Sequence, residues 1–111
     1  MSKKSRRRGK ELERFIAADL GGRRLGILGK EDVRYKNYVI ECKERKELPR
    51  MLKKGIEQAL KNCGEGDIPV FIQHELHQPH DLDLVTMYYL DWKKLALGDL
   101  NKSRKEGGHN E

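Results

Sequence analysis

The stretch DVRYKNYVIECK, Asp32 to Lys43, holds two short runs of strand-forming residues, Asp32 to Tyr35 and Tyr38 to Lys43, around Lys36-Asn37. Two residues between such runs read as a hairpin turn, and Asn37 tolerates the left-handed backbone that these turns need. Pairing Tyr35 with Tyr38 sets the register: Arg34 lies opposite Val39, Val33 opposite Ile40, and Asp32 opposite Glu41. Cross-strand partners have Cβ atoms about 4.5–5.5 Å apart, where like charges repel. The two carboxylates therefore call for a cation between them. Alternation along the strand puts Lys43 on the face of Glu41, with Ile40 and Cys42 on the other. One face then carries Asp, Glu and Lys, a donor set suited to Mg²⁺, which takes one or two carboxylates and keeps its other positions for water and phosphate.

Upstream, Leu12, Phe15, Ile16 and Leu20 recur at helical spacing, which predicts a helix from about Gly9, or slightly earlier, to Leu20, closed by Gly21-Gly22. Glu13 falls one residue off that stripe, at the border of the apolar face; Glu11 is its rival for a place at the sheet edge. Arg23 to Leu28 reads as a first strand interrupted by Gly26, followed by the loop Gly29-Lys30-Glu31, which lacks the spacing of a phosphate-binding loop. Downstream, Glu44 to Leu48 is a basic loop and Pro49 opens a helix to Asn62, with Leu52, Ile56, Ala59, Leu60 and Cys63 as its buried face and Gln58 one residue from it. Ile68 to Leu76 and Leu82 to Leu90 read as two further strands, Pro69 fitting only at a start or an edge. The second has apolar residues on both faces, as an inner or interface strand would. Asp91 caps a short helix, Trp92 to Leu97, stopped by Gly98, and residues 99–111 are polar enough to expect disorder.

His74, His77 and His80, with Asp81 and Asp83 nearby, raise a zinc reading. Successive three-residue spacings need a helix to align the rings, however, and Pro79 interrupts one. They are read instead as loop residues facing DNA or solvent. Cys42 and Cys63 have neither metal-ligand nor disulfide-framework spacing and read as reduced core residues.

At 111 residues the chain is expected to be one domain over residues 9–98. The formal charge is +6, and Lys3, Lys4, Arg6, Arg7, Arg8 and Lys10 supply all of it, since the other 18 Lys and Arg face 18 Asp and Glu. Residues 1–8 thus form a basic arm, expected to be flexible, of the kind that neutralises phosphates. No apolar run approaches the roughly 18 residues of a membrane span, so a cytoplasmic protein is expected, in the host cytoplasm if phage-encoded.

The ordered set of Gly9 to Arg14 as G-x-x-x-E-R, Asp32, Glu41-Cys42-Lys43 and Glu57-Gln58-Ala59 resembles the PD-(D/E)XK nucleases, most closely the archaeal and phage Holliday junction resolvases. Glu31 stands where that family's proline precedes the aspartate. The resemblance, over about residues 8–98, implies an α/β fold with a restriction-endonuclease-like core, a mixed central sheet flanked by helices. It implies Mg²⁺, which Mn²⁺ can replace, held by Asp32, Glu41, the Cys42 carbonyl and Glu13, with Lys43 and Gln58 completing the catalytic set. It also implies a homodimer that cuts four-way DNA junctions. Lys3, Lys4, Arg6, Arg7, Arg8, Lys10, Arg14, Lys30, Arg45 and Lys46 are the expected DNA contacts. A nuclease of linear or flap DNA, and a non-catalytic DNA-binding module of the same fold, stay open.

Overall fold

In the computed structural model, residues 3–25 and 32–108 are described, with side chains for residues 10–24 and 33–98. Gly26 to Glu31, including the end of the expected first strand and Lys30, lie outside the described residues, as do 1–2 and 109–111. The chain is a small mixed α/β protein, with three α-helices and two antiparallel sheets among the described residues, divided into two units, Met1–Lys46 and Glu47–Glu111. Every strand pair among the described residues is antiparallel and lies within one unit. Short connections favour that pairing, whereas a parallel pair needs a long crossover.

The first unit packs α1 (Lys3–Leu20) on a sheet of β1 (Arg23–Leu25), β2 (Asp32–Tyr35) and β3 (Tyr38–Glu41), in the order β1-β2-β3. The hairpin has the anticipated register, Asp32↔Glu41 through Tyr35↔Tyr38. Its left-handed residue is Lys36, at φ 54°, and not Asn37. A turn with positive φ only at its first central position is of the II′ kind, so the steric cost falls on the lysine. Tyr35 and Tyr38 stack at 6.4 Å beside it.

α1 starts at Lys3, six residues before Gly9, so the segment expected as a flexible arm is helical from that point. Lys and Arg are good helix formers, and once the buried stripe has nucleated a helix each added residue brings a hydrogen bond. The helix ends in a Schellman motif: Gly22 N–H donates to the Ala17 carbonyl at 2.8 Å and Gly21 N–H to that of Ala18 at 3.3 Å, with Gly21 at φ 74°. Gly22 also lets the strand begin at once, since a Cβ there would stand 2.6 Å from the Arg34 carbonyl oxygen. The buried stripe is Glu13, Ile16, Ala17 and Leu20, at i, i+3, i+4 and i+7, while Phe15 is exposed. The face is therefore rotated from the expected one, and Glu13 lies within it rather than at its border. Val33, fully buried, is the sheet residue at the centre of this core.

The second unit contains α2 (Arg50–Lys61), β4 (Phe71–Gln73), a 3₁₀ turn η1 (His80–Leu82), β5 (Leu84–Thr86) and α3 (Tyr89–Gly108). Pro49 precedes α2 and Ile56 is its buried centre, but Leu60 is exposed rather than part of the buried face. The Phe71 ring lies over Gly55, where a Cβ would meet three ring carbons at 2.6 Å. Gly55→Ala is therefore expected to lower stability by about 1–2 kcal/mol in urea unfolding, the overpacking penalty outweighing the gain in helix propensity.

β4 and β5 are much shorter than the runs Ile68 to Leu76 and Leu82 to Leu90. At the C-terminal end of the second run, helical spacing wins over alternation: Tyr89, Trp92 and Ala96 recur at i, i+3 and i+7, and the Tyr88 carbonyl accepts the N–H groups of Asp91 and Trp92. α3 also continues through Gly98 to Gly108, past the expected stop at Gly98. A single glycine costs a helix only about 1 kcal/mol. No described helix is long and apolar enough to cross a membrane.

Candidate metal and nucleic-acid site

The β2-β3 hairpin fixes the centre of the site. Asp32 and Glu41 are direct register partners at the open end of the hairpin, opposite its turn. The Glu41 side chain is exposed; that of Asp32 lies outside the described ones. Cys42 follows, half-buried and in no disulfide, and Lys43 is exposed just past the end of the strand. Two carboxylates and a main-chain carbonyl make an all-oxygen donor set, which fits a hard divalent cation.

Glu13 has a different environment from the one expected. It is only 2% exposed, and its Oε1 accepts from Arg24 Nη2 at 3.3 Å. Arg24 pairs with Val33, and Val33 with Ile40, so this ion pair sits at the rung next to Asp32↔Glu41, on the α1 side of the sheet. Arg24 is the residue that sequence reasoning missed. The only signal for it was its position in a strand following a helix with an acid in its buried stripe.

The pair carries a stability requirement, because Arg24 Nε is itself buried without a partner among the described groups. Losing one member of a buried pair typically costs 3–5 kcal/mol. The Arg24 side chain is about a third exposed, which reduces that figure. Arg24→Met is expected to destabilise the protein by about 1–3 kcal/mol, measured by urea unfolding. Unchanged stability would show that the pair with Arg24 is not what keeps Glu13 buried.

The remaining candidates lie elsewhere in the first unit or in the second. Gln58 is exposed on α2. Lys10, Arg14, Arg45 and Lys46 are exposed, as DNA contacts need to be. Lys3, Lys4, Arg6, Arg7 and Arg8 belong to α1, with side chains outside the described ones. Lys3, Arg7, Lys10 and Arg14 recur at i, i+4, i+7 and i+11, the spacing of one line along a helix. Compared with family models, curated proteins and solved structures, the chain matches none.

Proposed function

We propose that the protein is a metal-dependent endonuclease of branched DNA that cuts four-way junctions in pairs as a homodimer, in the cytoplasm of its cell or of a phage host. The observation that carries this reading is the register Asp32↔Glu41 with Lys43 two residues beyond. Like charges facing across a strand pair cost stability and persist where they have a use.

Asp32, Glu41 and the Cys42 carbonyl would hold Mg²⁺ or Mn²⁺; Glu13, paired with Arg24 on the rung whose side chains face the other way, is left out of that ligand set. Bound there, the cation supplies charge neutralisation on the phosphate and a more acidic attacking water. Lys43, exposed beside Glu41, orients that water and offsets charge developing on the phosphate. The basic residues of α1 and of the loop carrying Arg45 and Lys46 bind the DNA backbone.

The dimer reading is supported by the surface around β5. Leu82, Leu84, Val85 and Leu90 are exposed, and Ile72, the register partner of Val85, is 59% exposed, as is Val85 itself. A two-stranded sheet is marginal alone, so a second copy covering its Ile72–Val85 face would stabilise it, and a two-fold pair presents two identical sites. Val85→Lys is expected to shift sedimentation from dimer to monomer and to uncouple the paired cuts. A wild type that sediments as a monomer yet makes paired cuts would refute the dimer.

The direct test of function is cleavage of a four-way junction beside matched linear and flap DNAs, with and without Mg²⁺. Metal-dependent, symmetrically paired nicking of the junction is expected. Preference for linear or flap DNA would reassign the substrate, and binding without cleavage would make the chain a non-catalytic module.

A further inference from the structure

The connection between β4 and β5 brings together side chains that their sequence spacing held apart. Gln78 N–H donates to the Glu75 carbonyl at 3.1 Å, closing a turn in which His77 takes the left-handed φ of 72°. After it, Pro79 opens η1, whose bonds from Leu82 N–H to Pro79 O and from Asp83 N–H to His80 O reverse the chain again. The result sets His74, His80 and Asp83 side by side. His74 Nδ1 lies 2.6 Å from Asp83 Oδ1, and His80 Nδ1 lies 3.1 Å from Asp83 Oδ2. The two rings lie tilted at 31° with their centroids 4.3 Å apart. One donor atom from each residue falls within 4.8 Å of the others. Pro79, which rules out a helix through the three histidines, thus belongs to the turn that gathers two of them, and His77 is left outside.

We propose that His74, His80 and Asp83 form a site for one divalent ion of the zinc class, which clips the β4-β5 connection closed. The donor set, two imidazole nitrogens and one carboxylate oxygen, suits Zn²⁺ and its borderline neighbours and not Mg²⁺. Each Asp83 oxygen faces an Nδ1, so the gap an N–H now bridges is the gap an ion shared between them occupies. Zinc takes nitrogen and oxygen ligands at about 2.0–2.2 Å. Donor separations near 3 Å need only small adjustments to reach that, and His80, 82% exposed, is free to make them. Three protein ligands leave a fourth position for water. The sheet that the clip closes has three residues per strand, and the ion would hold together an element too short to be stable by itself. The site uses none of the residues assigned to DNA cleavage.

The test is Zn²⁺ titration of the metal-stripped full-length protein by calorimetry, with Co²⁺ as a spectroscopic substitute. One equivalent of Zn²⁺ should bind and raise the melting temperature, and the Co²⁺ spectrum should show nitrogen and oxygen ligation without a thiolate charge-transfer band. His80→Ala and Asp83→Asn should each weaken Zn²⁺ binding at least about tenfold, since losing even a residue that only supports a ligand costs that much. His77→Ala and Glu41→Gln should leave it unchanged. His80 is so exposed that its replacement keeps the fold, which circular dichroism checks. Absence of binding, equal binding by His80→Ala, loss in Glu41→Gln, or a thiolate band would each overturn the proposal.

Discussion

Glu41→Gln is expected to lower junction cleavage by a factor on the order of 10³ while leaving DNA affinity nearly intact. The substitution keeps size and hydrogen-bonding atoms but removes one of two charges at paired positions on the hairpin. Because Glu41 is exposed, no core packing is disturbed, and the substitution should leave the stability of the metal-free protein within about 0.5 kcal/mol of wild type. Activity should thus fall without loss of stability, which simple misfolding cannot produce. Lys43→Ala separates the remaining role: it should keep Mg²⁺-induced stabilisation at the wild-type level and cleave about 10²-fold more slowly. Full cleavage by Glu41→Gln would remove the hairpin carboxylates from the mechanism. Loss of Mg²⁺ stabilisation in Lys43→Ala would make the lysine structural.

What could be read from the sequence was what the chain decides locally. A two-residue turn leaves one register for the strands beside it, so the partners Asp32 and Glu41 followed from counting outward from Lys36-Asn37. Gly21-Gly22 marked the end of α1 because its left-handed cap favours a glycine. Which residue of the hairpin turn takes positive φ was not legible, since Lys36 bears a strain that only the surrounding pairing enforces. The partner of Glu13 was equally hidden. Arg24 reaches it only once β1 pairs with β2 and α1 lies across them with the stripe Glu13, Ile16, Ala17 and Leu20 inward. Apolar spacing alone favoured Phe15 over a charged residue for that face, because a buried acid is stable only with a partner that spacing does not reveal.

The second unit shows the same limit in another form. Ile68 to Leu76 and Leu82 to Leu90 alternate well enough to look like long strands, yet pairing stops at Gln73 and Leu84. There His74 and Asp83 leave the ladder and bond through their side chains instead. The Asp83 carboxyl is held below its ordinary 3.8, first by the hydrogen bond to His74 and then by that to His80. Local side-chain bonding of this kind competes with the strand ladder, and its partners come from a turn, so no periodicity announces them.

The other large effect is expected in DNA binding, from the basic line along α1. Had the six N-terminal charges belonged to a flexible tail, any five of them would be interchangeable. A helix from Lys3 makes them unequal, because Lys3, Arg7, Lys10 and Arg14 share one line while Lys4, Arg6 and Arg8 do not. Lys10 and Arg14 are exposed on that line, within a turn of the buried Glu13. Each duplex phosphate neutralised contributes roughly 0.9 to the slope of log K against log salt. Replacing Lys3, Arg7, Lys10 and Arg14 together by Gln, which preserves the helix, should make the slope shallower by up to about 3.6. Replacing Lys4, Arg6 and Arg8 should change it by clearly less than the roughly 2.7 that three contacts would give. Fluorescence anisotropy of a labelled junction across a salt series measures both. Equal loss per charge in the two variants would mean that the residues bind as a tail, and an unchanged slope in the first would take α1 out of the interface.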